Sequence, residues 1–159
     1  MIEFTISGDG QVLAGLVRAE GDAISRVHDS IARQTLELVR HVKENKLTGQ
    51  VLKVRTGTLR RSVAHTISSS SSSVTGTVST PLVYAPIHEF GGTIPARIIA
   101  AKRAQALKFS VGGKTLFRRA VSIPAVKMPE RSFLRSALED RKAAIEADLQ
   151  RAADVGVNL

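Results

Sequence analysis

The side chains able to do chemistry are few and scattered. Four histidines are present, His28, His41, His65 and His88. A helical metal pair needs two ligands about one turn apart on a single face, whereas His28 and His41 are separated by thirteen positions. His88-Glu89 has the opening of a zinc-protease helix, but the place of the second histidine is taken by Gly92. General acid–base work requires convergent carboxyl groups. Glu89 is the only acid between Glu44 and Glu130, and the remaining acids fall where solvated helix faces are expected. Serines are plentiful, yet none sits in a G-x-S-x-G elbow. Gly112-Gly113-Lys114-Thr115 ends like a phosphate loop, but the upstream glycine of that motif would fall on Lys108, so a hairpin turn is the simpler reading. With aromatics at 4% of the chain, a stacking platform for single-stranded nucleic acid is poorly supplied. These residues predict no catalytic group, no metal and no cofactor.

The elements that must hold whatever surface remains are set by size and pattern. A chain of 159 residues with 43% hydrophobic content suits one domain, expected to run over residues 1–159. Cysteine is absent, which excludes disulfides and thiolate metal sites. No stretch approaches the run of about 18 apolar residues that a membrane span needs, and the opening MIEFTISGDG does not read as a signal peptide. No membrane partner is expected. Net charge is +9, unevenly spread: from Lys46 to Lys127 thirteen basic residues stand against Glu89 alone, a local net of +12. Such a block marks attraction to polyanions or acidic protein surfaces.

Ile2, Phe4 and Ile6 alternate with polar residues as in a short strand, closed by Ser7-Gly8-Asp9-Gly10. In residues 11–45 a long helix is expected, with Ile24, Val27, Ile31, Leu38 and Val42 at helical spacing, Thr35 filling the gap and Gly21-Asp22 as a division point. The segment Thr56-Gly57-Thr58-Leu59-Arg60-Arg61-Ser62 reads as a helical turn capped by Thr56 and anchored by Leu59. Two strands around Val63–Ile67 and Val74–Val78 follow, joined at Ser68–Ser73. In Tyr84-Ala85-Pro86-Ile87-His88-Glu89-Phe90-Gly91-Gly92, Pro86 suits the first helical position and Gly91 the residue that ends the turn. Ile87 and Phe90 are expected on its buried face. A second hairpin turns at Gly112-Gly113, and Leu134, Leu138, Arg141, Ile145, Leu149 and Ala152 form one stripe of a closing helix. The fold class is α+β: a small antiparallel sheet packed by a long N-terminal and a C-terminal helix, with an extended hairpin arm at about 100–127. Glu89, alone in a basic segment, is expected to pair with Arg60, Arg61 or Arg97.

Three segments in order, Thr56–Ser62, Tyr84–Gly92 and Pro129-Glu130-Arg131-Ser132-Phe133-Leu134-Arg135-Ser136-Ala137-Leu138, give the chain its resemblance to the virion-morphogenesis, or tail-completion, proteins of tailed bacteriophages. That resemblance implies a non-enzymatic subunit of the virion neck or tail, present in the host cytoplasm during assembly. It would form a ring, six-fold like the tail, with other neck, connector and tail proteins as partners and non-specific contact with DNA in the lumen. A tail tube terminator is the alternative within the virion, and a basic nucleic-acid-binding protein the alternative outside it. The motif residues Thr56, Gly57, Leu59, Tyr84, Pro86, Glu89, Phe90, Gly91, Phe133 and Leu134 read mainly as determinants of fold. One departure stands out: about forty residues separate the second and third motifs, where many relatives pass quickly. That insertion carries Lys102, Arg103, Lys108, Lys114, Arg118, Arg119 and Lys127 without an acid, the expected partner interface.

Overall fold

The computed structural model describes residues 2–7, 21–70, 73–102 and 105–154. Residues 11–20 of the expected helix, the turn residues Gly8–Gly10, Ser71 and Ser72 of the serine turn, and Arg103 lie outside the described residues. Strands β1 (Ile2–Ser7), β2 (Ala64–Ser69) and β3 (Val74–Thr80) make an antiparallel sheet with β3 in the centre. Its register sets Ile2, Phe4 and Ile6 opposite Thr80, Val78 and Gly76.

Helix α1 (Gly21–His41) lies across that sheet and ends in a π-helical turn, Val42–Lys46. Val27, Ile31, Leu38 and Val42 are buried, as their spacing requires. The polar member of the stripe, Thr35, is fully buried too, its hydroxyl donating to the Ile31 carbonyl at 2.6 Å. It sits over Gly76, where a Cβ atom would stand 1.9 Å from Thr35 Oγ1 and 3.2 Å from Ile31 Cγ2. Gly76 therefore lets helix and sheet approach closely. Beyond the π turn, Leu47 and Leu52 return to the core.

Two short helices follow in the chain, α2 (Thr58–Ser62) and α3 (Ala85–Phe90), and helix α4 (Arg135–Asp154) closes the fold. Helix α4 packs chiefly along α1. Phe133, Leu134, Ala137 and Ile145 join Leu38, Val39, Val42, Val63 and Val78 in the main core. A polar seam fixes the register of the two long helices. Asp148 Oδ2 accepts hydrogen bonds from Ser30 (2.7 Å), Arg33 (3.0 Å) and Gln34 (3.0 Å), and Arg141 donates to the Gln34 carbonyl oxygen at 3.0 Å. At the other end Asp140 holds Lys46 at 2.7 Å and His41 at 2.8 Å. A slip along the seam would leave several of these groups unpaired, at a cost of about 1–3 kcal/mol each where they are buried.

Between α3 and α4 the chain runs out and back as one interrupted ribbon. Strand β4 (Gly92–Ile94) pairs with β9 (Val126–Met128), β5 (Arg97–Ala100) with β8 (Ala120–Ile123), and β6 (Leu107–Val111) with β7 (Lys114–Arg118). The first two ladders keep one register through Pro95 and Pro124, which cannot donate to a ladder and so break it there. Between the second and third ladders the register shifts by five residues, because six residues separate β5 from β6 in the sequence and Arg119 alone separates β7 from β8. Gly112 and Gly113, both with positive φ (56° and 79°), make the tip a two-residue turn. The arm is thus longer than the expected 100–127. At about 3.3 Å per residue, the side from Lys114 to Met128 has a contour of roughly 45 Å.

Candidate functional site

The arm springs from a clamp built by the second and third sequence motifs. The first N–H groups of a helix have no partner within it, and in α4 the first internal bond runs from Leu138 N–H to the Leu134 carbonyl. Glu89, fully buried in α3, supplies acceptors at the entry of this helix. Its carboxylate receives the N–H groups of Phe133 (2.8 Å), Leu134 (2.9 Å) and Arg135 (2.9 Å), and the Ser132 hydroxyl at 2.6 Å. Ser136 N–H goes to Ser132 Oγ at 3.2 Å. The helix dipole adds to the attraction for the negative charge. Burial alone would push the pKa of Glu89 up, but hydrogen bonds from Leu134, Ser132, Arg135 and Phe133 outweigh it and hold the pKa below the ordinary value.

Arg135 completes the clamp. Its Nε lies 3.5 Å from Glu89 Oε1, its guanidinium also pairs with Glu130, and it stacks 5.1 Å from the centre of the Phe90 ring. Arg131 N–H donates to the His88 carbonyl at 2.8 Å. Gly91, at φ 68°, has no room for a side chain: a Cβ there would lie 2.8 Å from Glu130 N and 3.0 Å from Met128 O. The two ends of the arm are thereby tied together.

This arrangement corrects three expectations. Glu89 does not pair with Arg60, Arg61 or Arg97; a helix N-terminus with four convergent donors compensates a buried charge better than one exposed guanidinium, and the ion pair it does make is with Arg135. The buried face of α3 carries Ala85 and Glu89, whereas Tyr84 and Phe90 are exposed and Ile87 is half-buried. Thr56 does not cap α2. The N-cap is Gly57 at φ 70°, without a side-chain hydrogen bond, and Thr56 Oγ1 meets Thr58 instead. Leu59 packs half-buried on the core, Pro86 occupies the first turn of α3, and Phe133 and Leu134 are buried as expected.

The clamp and the helix seam give stability a definite pH dependence. Glu89 and Asp140 are held below their ordinary pKa values, Asp140 by hydrogen bonds from Lys46 and His41. Asp148 is depressed furthest, by Gln34, Ser30 and Arg33. A carboxyl with a lower pKa in the folded chain than in the unfolded one contributes stability that is complete above the unfolded value and is lost as pH falls through the folded value. His88 is held below its ordinary pKa by burial and by Arg131, so protonating it disfavours the fold. The thermal midpoint should therefore decline modestly as pH falls from 7 through about 6, and drop steeply below about pH 4 as the carboxylates titrate. Melts followed by circular dichroism across that range check this; a midpoint unchanged down to pH 3 would contradict it.

Of the expected interface residues, Lys102, Lys108, Lys114, Arg118, Arg119 and Lys127 are all exposed along the arm. The arm is also apolar, which its charge alone did not indicate. Ile98 is 74% exposed, Val111 and Phe117 59% each. Near the tip the register puts Leu107, Phe109 and Val111 on one face with Leu116, flanked by Lys114 and Arg118. Isolated two-stranded ribbons are marginal in water, so a ribbon with uncovered apolar side chains and no acid is suited to lie against another surface. The histidines are dispersed. His28 is beside Asp29, His41 is in the seam, His65 is exposed on β2, and His88 packs edge-on to Tyr84. Among the described residues no three His, Asp or Glu side chains converge, and no helix is long and apolar enough to cross a membrane.

Comparison with known protein families matches residues 31–152, from the middle of α1 almost to the end of α4, to the phage virion morphogenesis family. The chain belongs to that family. Similar proteins were found neither among curated sequences nor among solved structures. The matched region includes all three motifs, the clamp that joins the last two, and the arm between them. A role in the phage virion or in its assembly follows from the family.

Proposed function

We propose that the chain is a non-enzymatic structural subunit of a tailed-phage virion. It forms a six-fold ring at the neck or head-proximal tail end, where it completes the tail and joins it to the head. The observation that carries this reading is membership of the virion morphogenesis family over residues 31–152. The arm supports it: a cationic and apolar ribbon held at a fixed base is a device for contacting another subunit. A ring of identical subunits needs a heterologous contact that closes by rotation, and the arm's two faces are unlike. Termination of the tail tube is the variant reading within the virion.

Lys102, Arg103, Lys108, Lys114, Arg118, Arg119 and Lys127 are proposed as partner-interface residues, steering the arm toward acidic protein surfaces. The double variant Arg118→Glu/Arg119→Glu should remain folded, because both side chains are exposed. Its rate of head-to-tail joining should fall by about tenfold or more at low salt, and the wild-type rate should fall as salt rises. Joining is measured by mixing the chain with purified heads and with tails that lack it, then counting infectious particles. An unchanged rate at low salt would reduce the arm's charge to a solubilising role. The basic middle also favours a second reading, nucleic-acid binding. Tight, steeply salt-dependent binding of duplex DNA by the purified chain would support it.

A further inference from the structure

The first motif makes little use of its cations in the fold. Lys43, Lys53, Arg55, Arg60 and Arg61 gather around the loop that carries Thr56 and Gly57, and none of the five makes an ion pair among the described residues. Lys53, Arg55, Arg60 and Arg61 are exposed. Five like charges so close together repel one another, which disfavours the free chain unless something negative offsets them.

Beside this cluster lies a pocket of about 390 Å³. Its apolar wall comes from Leu47, Leu52 and Leu59, which belong to the core or pack on it, and from Val54 and Tyr84, which are 52% and 44% exposed. Lys53, Arg55 and Arg60 stand on the same wall. Val83, next to Tyr84 in sequence, is 92% exposed.

We propose that this pocket, lined by the first two motifs and the segment that leads into the first, binds an acidic peptide segment of a partner protein that inserts one large apolar side chain. The apolar wall takes the anchor, and the surrounding lysine and arginine side chains hold the flanking carboxylates. Charge complementarity fixes the sign of the partner, and the pocket's lining fixes its class. A phosphodiester backbone would satisfy the cations but would leave Val54 and Tyr84, the exposed part of the apolar wall, uncovered, because sugar and phosphate offer no comparable apolar group. The arm of a second copy is excluded as the occupant by its own eight cations and lack of any acid between Gly92 and Met128. The site is separate from the arm and does not depend on ring formation.

The test uses the full chain, isotope-labelled for NMR, and a synthetic peptide Asp-Glu-Asp-Leu-Phe-Glu-Asp-Glu as probe. Two further probes are the same peptide with alanine in place of Leu-Phe, and a short DNA duplex. The acidic Leu-Phe peptide is expected to shift amide signals of residues 47–60 and 84–88, with affinity falling as salt rises. The alanine peptide should bind about tenfold more weakly. So should the acidic Leu-Phe peptide on Arg55→Glu/Arg60→Glu, a variant of two exposed residues whose spectrum will show whether it is folded. Tyr84→Ala is the second variant: it should weaken the Leu-Phe peptide and leave the alanine peptide unaffected. Equal binding of both peptides, stronger binding of the duplex at the same signals, or no shift of these residues at millimolar peptide would each overturn the proposal.

Discussion

Glu89→Gln is expected to lower the stability of the folded chain by about 3 kcal/mol, more than the roughly 1 kcal/mol typical of losing an ordinary helix cap. The carboxylate accepts four hydrogen bonds with no access to water. An amide of the same shape has one oxygen, so its NH₂ would face donors where an acceptor stood. Each buried N–H left without an acceptor costs about 1–3 kcal/mol, and loss of the charge removes its interaction with the helix N-terminus and Arg135. For a chain of this size the thermal midpoint should fall by about 6–12 °C. The loss should also remove part of the acid-dependent drop in stability, since the group that titrates is gone. A midpoint within about 1 °C of wild type would mean that Glu89 does not hold the N-terminus of α4.

Gly76→Ala should be similarly costly, about 3 kcal/mol, at the upper end of what overpacking usually costs. The added methyl would overlap Thr35 Oγ1, whose hydroxyl is already committed to the Ile31 carbonyl, and would press on Ile31 Cγ2. Both neighbours are fully buried, so the helix must lift from the sheet. Thr35→Ala removes the closest atom and leaves Thr35 Cβ at 3.1 Å, so the double variant should recover a large part of the loss. Chemical denaturation of the two single variants and the double variant measures the coupling directly. Simple additivity would show that the contact is not the source of the cost.

Much of the fold was legible because its signals are local. The period of Val27, Ile31, Leu38 and Val42, the alternation in β1 and β3, and the glycine pair at 112–113 each report on their own neighbourhood. The family likewise followed from short motifs in order. Thr35 could be read as a gap in an apolar stripe, but not as the partner of Gly76, forty-one positions away.

The clamp was hidden for the same reason. Glu89 and Ser132–Arg135 meet only because a long arm brings its ends together, and an isolated acid in a basic segment suggests an arginine partner before it suggests a distant helix terminus. A usable signal did exist: α4 begins after Pro129-Glu130-Arg131-Ser132 with no Asp or Glu in its first turn, so its N–H groups needed an outside acceptor. The outgoing side of the arm's base, Gly92–Ile99, was missed because Pro95 interrupts it, and because five extra residues around Lys102 put its strands and their partners at unequal distances from the turn. Its uncovered apolar side chains could not be told from core residues by sequence pattern, since both alternate in the same way.

The chain is proposed to assemble as a closed ring on the phage tail. Electron microscopy with symmetry analysis, on tails that lack the protein and on the same tails after its addition, tests this most directly. The expected result is a new six-fold ring of density at the head-proximal end, accompanied by recovery of the capacity to join heads. One or two copies per tail, an open filament, or no density on tails together with tight binding to DNA would contradict it.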